Sequence, residues 1–209
     1  MARRPAAVRP VQGCRLAAAE PAAFLRDPDA YVRLERAIER VRADGGKVDV
    51  VFRPFQLAPD AAFDGEPLLE VLAGMFGSHV VAETRQAAAD AVKDGVTLDY
   101  GRAVAAGTFE AHRLIRSAAS RGLGEAAVER LFRAHFTDGL NIADPATLKR
   151  LAAEIGVATN NAPADQLRDD LARVRTAGIR SVPQISFDGG RPLSGTQSET
   201  TYAKALQAA

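Results

Sequence analysis

Apolar residues recur along this chain with two different periods, and the changes of period divide it into three stretches. In residues 26–41, RDPDAYVRLERAIERV, Tyr31, Leu34, Ile38 and Val41 fall at steps of three and four, the stripe of an amphipathic helix. Asp27 and Pro28 punctuate its start. A carboxylate there accepts an orphan backbone N–H, and the missing donor of proline costs nothing at the first helical position. The following KVDVVFRPFQL supplies Val48, Val50, Phe52 and Phe55, a strand-like run whose end is marked by Pro54. A helix followed by a strand suggests part of a βαβ unit, whose earlier strand is expected within residues 7–16, AVRPVQGCRL. That segment is a poor strand, because Pro10 and Gly13 break it.

From about residue 65 to 177 the pattern is helical throughout. EPLLEVLAGMFG, HVVAETRQAAADAVKDG, TFEAHRLIRSAASRG, EAAVERLFRAHFTDG, PATLKRLAAEIG and PADQLRDDLARVRTAG each place apolar residues at three- and four-residue steps, and most end at glycine. Asp144-Pro145 repeats the Asp-Pro helix start seen at Asp27-Pro28. The period then returns to two: IRSVPQISFDGG alternates Ile179, Val182, Ile185 and Phe187 toward a Gly-Gly turn, and RPLSG can return as the partner strand. SETTYAKALQA closes the chain as a helix. Neither end has enough strands to form a sheet alone, so the pattern predicts one α/β domain, residues 1–62 with 178–209, interrupted by a helical insertion over 63–177.

Composition narrows the chemistry. The 209 residues are 47% hydrophobic and 25% charged with a net charge of +1, so the chain has material for a buried core and no strong field for nucleic acid. The basic start MARRPAAVRP is not followed by the apolar run of a signal peptide, and no membrane span is present, which predicts a cytoplasmic protein with no membrane partner. Cys14 is the only cysteine, which excludes an intramolecular disulfide and a dithiol cycle within one chain. In a poor strand Cys14 reads as a small packed residue rather than a nucleophile. His79, His112 and His135 are the three histidines, and His112 in EAHRL reads as a packing or hydrogen-bonding residue. Glu110, His112 and Asp94, or Asp27 with Asp29, are pairs that helices supply by chance. No cluster has metal-ligand spacing, so no metal is expected. FDGGRP reads as a hairpin turn and not as a phosphate cradle.

The order of the helix, VVFRPFQLAPD, GTFEAHRLIRSAASRG, LFRAHFTDGLNIADPATLKRLAAEIGV, SVPQISFDG and LSGTQ resembles the DsbA-family oxidoreductases of the FrnE-like branch over about residues 27–205. The resemblance implies a thioredoxin fold with a large all-helical insertion. It also implies a Cys-Pro-X-Cys motif at the N-terminus of the first helix, where helix-end N–H groups stabilise a thiolate. Aligning YVRLERA with the family pattern puts those cysteines at Asp27 and Ala30, so the motif reads Asp27-Pro28-Asp29-Ala30. Both sulfurs are missing, and exchange requires a thiolate attacking a disulfide and a second thiol resolving the intermediate. SVP resembles the family's cis-proline loop, which implies a cis Val182–Pro183 bond facing the N-terminus of a helix over 28–42 across a cleft. Val182, Pro183 and Tyr31 are then the expected substrate-binding residues.

Three functions compete at this point. The family activity is protein disulfide oxidation or reduction, against which the missing pair argues directly. A glutathione-dependent isomerase or tailoring enzyme resembling 2-hydroxychromene-2-carboxylate isomerases works without a cysteine pair, although Asp27 would place a negative charge near the glutathione thiol. The third is a non-catalytic module keeping the cleft for a peptide or small molecule, with glutathione as the one cofactor in view and a homodimer left open.

Overall fold

The computed structural model describes residues 14–19, 29–59, 64–157, 162–179, 182–188 and 190–208. Six strands and eight helices follow in the order β1 (Cys14–Ala19), α1 (Asp29–Ala43), β2 (Val48–Arg53), β3 (Asp64–Pro67), α2 (Leu68–Phe76), α3 (His79–Ala91), β4 (Val104–Ala106), α4 (Phe109–Ala119), α5 (Gly124–Phe136), α6 (Pro145–Glu154), α7 (Ala164–Thr176), β5 (Gln184–Ser186), β6 (Leu193–Ser194) and α8 (Glu199–Ala208). The fold is thioredoxin-like and rich in helix. Its main sheet has the order β2-β1-β5-β6, so both ends of the chain contribute strands. β1 runs parallel to β2, from Cys14 opposite Val48 to Ala19 opposite Arg53, and antiparallel to β5, with Ala17 opposite Ser186. β5 and β6 form the expected hairpin, Gln184 opposite Ser194, and Gly190 N–H closes its turn on the Phe187 carbonyl.

The first strand corrects the sequence reading. Cys14–Ala19 lies later than the expected 7–16, and its CRLAAA has little intrinsic strand preference. Hydrogen bonding on both edges decides here: a central strand takes its conformation from two neighbours rather than from its own side chains. Residues 7–13 lie outside the described residues.

Two cores divide the packing. On the sheet side, Leu34, Ala37, Ile38 and Val41 of α1 pack with Val48, Ile185 and Phe187 and with Tyr202, Ala203 and Leu206 of α8. The helical core gathers Leu114 and Ile115 of α4, Val128, Leu131, Phe132 and Phe136 of α5, and Leu148 and Leu151 of α6. The apolar stripe read from the sequence is buried along its whole length, yet it serves both cores: Ala30 and Tyr31 of the first turn belong to the helical one. Arg42 ties the layers together, its guanidinium donating to both carboxylate oxygens of Glu125 on α5 (3.0 and 2.8 Å) and to the Val48 carbonyl.

All six expected helices of the middle stretch are present. The Asp144 side chain caps α6 by accepting from Thr147 N–H at 2.7 Å, with Pro145 as the first helical residue. That bond holds the Asp144 carboxyl below its usual range. Asp170 on α7 accepts from Arg116 on α4 and from Arg173. Burial alone would raise its carboxyl, and the two guanidinium groups more than offset this and lower it. An unexpected two-stranded sheet, β3 with β4, pairs Asp64 with Ala106 and Pro67 with Val104. Among the described residues, no helix is long and apolar enough to cross a membrane.

Candidate functional site

The first turn of α1 is where the aligned motif falls. Asp27 and Pro28 lie outside the described residues, so the helix is seen from Asp29. Ala30 is completely buried and Tyr31 nearly so. The Tyr31 ring stacks on Phe132 of α5, with centroids 6.0 Å apart and planes 28° from parallel. Burial, and then the negative charges of Glu35, Glu125 and Glu129, push the Tyr31 hydroxyl far above its usual value. It therefore stays a neutral phenol and cannot act as a phenolate base.

The Val182–Pro183 peptide bond is cis. Pro183 is buried, and its carbonyl accepts from Gly195 N–H at 2.9 Å, fastening the start of β5 to the β6 hairpin. Val182 packs with Ile179 against a small cluster of Phe55 and Val174. His112 links this cluster to the helical core. It is 5% exposed on α4, between core residues Ala111 and Leu114, and its Nε2 lies 3.1 Å from the Phe55 carbonyl oxygen. The strand-ending Phe55 is thus held from both sides, its ring by Val174 and Val182 and its carbonyl by His112.

Next to His112 lies a cavity of about 430 Å³, lined by α2, α3, α4, α5, β4 and the segments after β2 and α5. Its walls are mostly aliphatic and aromatic, among them Leu68, Val71, Ile115, Leu131 and Phe132. Two buried histidines interrupt them, His112 and His135. His135 packs edge-on against Phe136, with centroids 4.5 Å apart, and its Nδ1 is buried with no hydrogen-bond partner among the described residues. Burial lowers its pKa to about 4, so the ring is neutral at physiological pH.

All three histidines are visible in the sequence, but nothing there groups them. His135 sits four residues after Leu131 and one before Phe136, on the apolar stripe of α5, and a buried imidazole there is the signal that could have singled it out. His79 is exposed. Glu110 is engaged by Arg113, which donates to both its oxygens at 3.1 and 2.9 Å. The side chains of Asp29 and Asp94 lie outside the described residues. Among the described residues no group of three or more His, Cys, Asp or Glu side chains is placed to hold a metal ion.

Comparison with known proteins gives this arrangement a lineage. A probable DsbA oxidoreductase from Streptomyces coelicolor is similar in structure, with a TM-score of 0.79 and 27% identity over 93% of this chain and 89% of that one. The cytosolic disulfide reductase DsbM from Pseudomonas aeruginosa shares the fold at a TM-score of 0.55 and 20% identity, over 93% of this chain and 95% of its own. A 2-hydroxychromene-2-carboxylate isomerase does so at 0.54 and 13%, over 88% and 89% of the two chains. No curated protein sequence matches the chain. The model of the DSBA-like thioredoxin domain matches residues 29–207, and with that match the chain belongs to the DSBA-like thioredoxin family.

Proposed function

We propose that this chain is a ligand-binding member of the DsbA-like family that does not carry out thiol–disulfide exchange. The ligand, a peptide or small molecule, lies between the first turn of α1 and the Val182–Pro183 segment, against Tyr31. One observation carries the reading: residues 29–207, the whole stretch that matches the family, contain no cysteine, and the single Cys14 of the chain stands in β1. A single thiol can enter a mixed disulfide, but the chain has no second thiol to resolve it, so no dithiol cycle can run within one chain. The aligned motif positions Asp27, Pro28, Asp29 and Ala30 carry no sulfur.

The test has two arms. Reduction and oxidation of a dithiol peptide by the purified protein should stay at the rate of an unrelated single-cysteine protein, and turnover that survives Cys14→Ser would overturn the reading. Glutathione titrated against amide NMR signals addresses the glutathione-dependent isomerase alternative, which requires saturable shifts at Tyr31 and Val182 together with turnover of an aromatic substrate. Binding without turnover supports the ligand-binding reading.

A further inference from the structure

The cavity between α2, α3, α4 and α5 plays no part in that reading, yet its wall composition is specific. Among the described residues its lining includes no lysine or arginine, and Glu83, on an exposed position of α3, is the one formal charge. An anion buried here would find no counter-charge, and a buried unpaired charge is costly. Its volume of about 430 Å³ falls in the range of small-molecule sites, roughly 300–1,000 Å³. Leu57, Met75 and Phe76, each just over half exposed, are three of the four large exposed apolar residues among those described, and all three line this same cavity. An apolar mouth therefore leads to an apolar interior. Of the two histidines inside, His112 is committed to the Phe55 carbonyl. His135 lines the cavity with its Nδ1 unpartnered among the described residues, and native structures rarely leave such a group unsatisfied.

We infer that this cavity is a second binding site, for an uncharged, largely hydrocarbon small molecule that carries a hydroxyl directed at His135. The aliphatic and aromatic walls take the body of the ligand, and the hydroxyl supplies the partner that the imidazole lacks. His112 forms part of the wall and holds the segment after β2 in place.

The probe is 2-naphthol, with naphthalene and 2-naphthoate as its apolar and anionic counterparts. The protein contains no tryptophan, so naphthyl fluorescence is read without that background. The full chain should bind 2-naphthol at one saturable site, and naphthalene about fivefold more weakly, the worth of one hydrogen bond. The anion should not bind measurably. His135→Phe should abolish the preference for 2-naphthol over naphthalene while leaving naphthalene bound, and Ala87→Phe, which fills the cavity from α3, should weaken both probes about tenfold or more. Nuclear Overhauser effects from bound 2-naphthol to the methyls of Val71, Leu72 and Ile115 locate the site in the unmodified protein and need no variant to fold. Three results overturn the inference: no saturable binding, contacts to other methyls, or a preference unchanged in His135→Phe. So does a dimer that Phe76→Glu dissolves and whose monomer binds no probe, since the apolar mouth is then an interface. None of these outcomes depends on thiol exchange or on glutathione.

Discussion

His112 on α4 donates from Nε2 to the carbonyl of Phe55, 3.1 Å away and 57 residues earlier in the chain. A carbonyl oxygen only accepts, so the proton sits on Nε2. The bond joins the segment after β2 to the helical core, and His112 also lines the cavity.

Replacing His112 with leucine leaves the buried Phe55 carbonyl without this donor. The expected cost is about 1–3 kcal/mol, read as a lowered urea midpoint at unchanged slope. His112→Gln, which keeps an N–H donor, should recover part of the loss. Equal losses in both variants would mean that the ring matters for its volume alone.

Acid should weaken the fold through His135 before the usual carboxylate range is reached. Burial lowers the His135 pKa to about 4 in the folded protein, against about 6.5 when unfolded. Above the unfolded value both states are neutral and the group adds no pH dependence. As pH falls below it, the unfolded chain takes up a proton that the folded one refuses, so stability is lost until the folded pKa is passed. The loss amounts to about 2 kcal/mol at about pH 5. Glu35 acts in the opposite sense: burial, then Glu39, Glu129 and Glu125, raises its carboxyl, so its protonation favours the folded state. The difference between the parent and His135→Phe isolates the histidine, and parallel stability curves for the two would refute the assignment.

Gly139 follows α5 with φ of +68°, and a Cβ there would stand 2.7 Å from both Cβ and O of Arg102. Gly139→Ala should therefore cost about 2 kcal/mol or more, from left-handed strain and a backbone clash together. Gly122 also has positive φ, but a Cβ added there would meet nothing within 4 Å. It is the control, and its alanine variant should lose only the strain. Thermal unfolding of the two variants checks the difference.

Asp27→Cys with Ala30→Cys tests the proposed alignment of the motif. Ala30 is completely buried, so a thiol at that position would be shielded. Loss of a capping carboxylate costs about 1 kcal/mol, so the variant should fold even if Asp27 serves as the cap that the sequence suggests. Three residues of a helical turn bring two Cα atoms within disulfide range. An internal disulfide and measurable exchange are expected. A folded variant with neither would place the motif elsewhere.

Much of this architecture was legible because the helices advertise themselves. Ala111, Leu114, Ile115 and Ala118 on α4, and Val128, Leu131 and Phe132 on α5, recur at steps of three and four, and every one is buried. The hairpin at the far end was legible from alternation and Gly-Gly. β3 and β4 were not, since DGEP and VAA are short and carry no extended alternating pattern, although Ala105 of β4 is buried in the helical core. β1 was misplaced for a related reason, an alanine run being strand only because two neighbours make it so. The cavity was hidden more deeply. Its walls come from four helices, β4 and the segments after β2 and α5, and no local period encodes a space between elements.

The central position of β1 also sets the order in which this molecule can be assembled. On the ribosome, β2 is available to β1 as soon as α1 has formed, but β5 is made only after the whole helical stretch. Through most of synthesis one edge of β1 has its backbone donors and acceptors unmatched, the kind of edge that invites a strand from another chain. The helices, whose contacts are more local, can collapse in that interval and hold α1 through Tyr31 and Phe132. Nascent chains stalled before residue 184 should accordingly engage chaperones, and chains released after β6 should not.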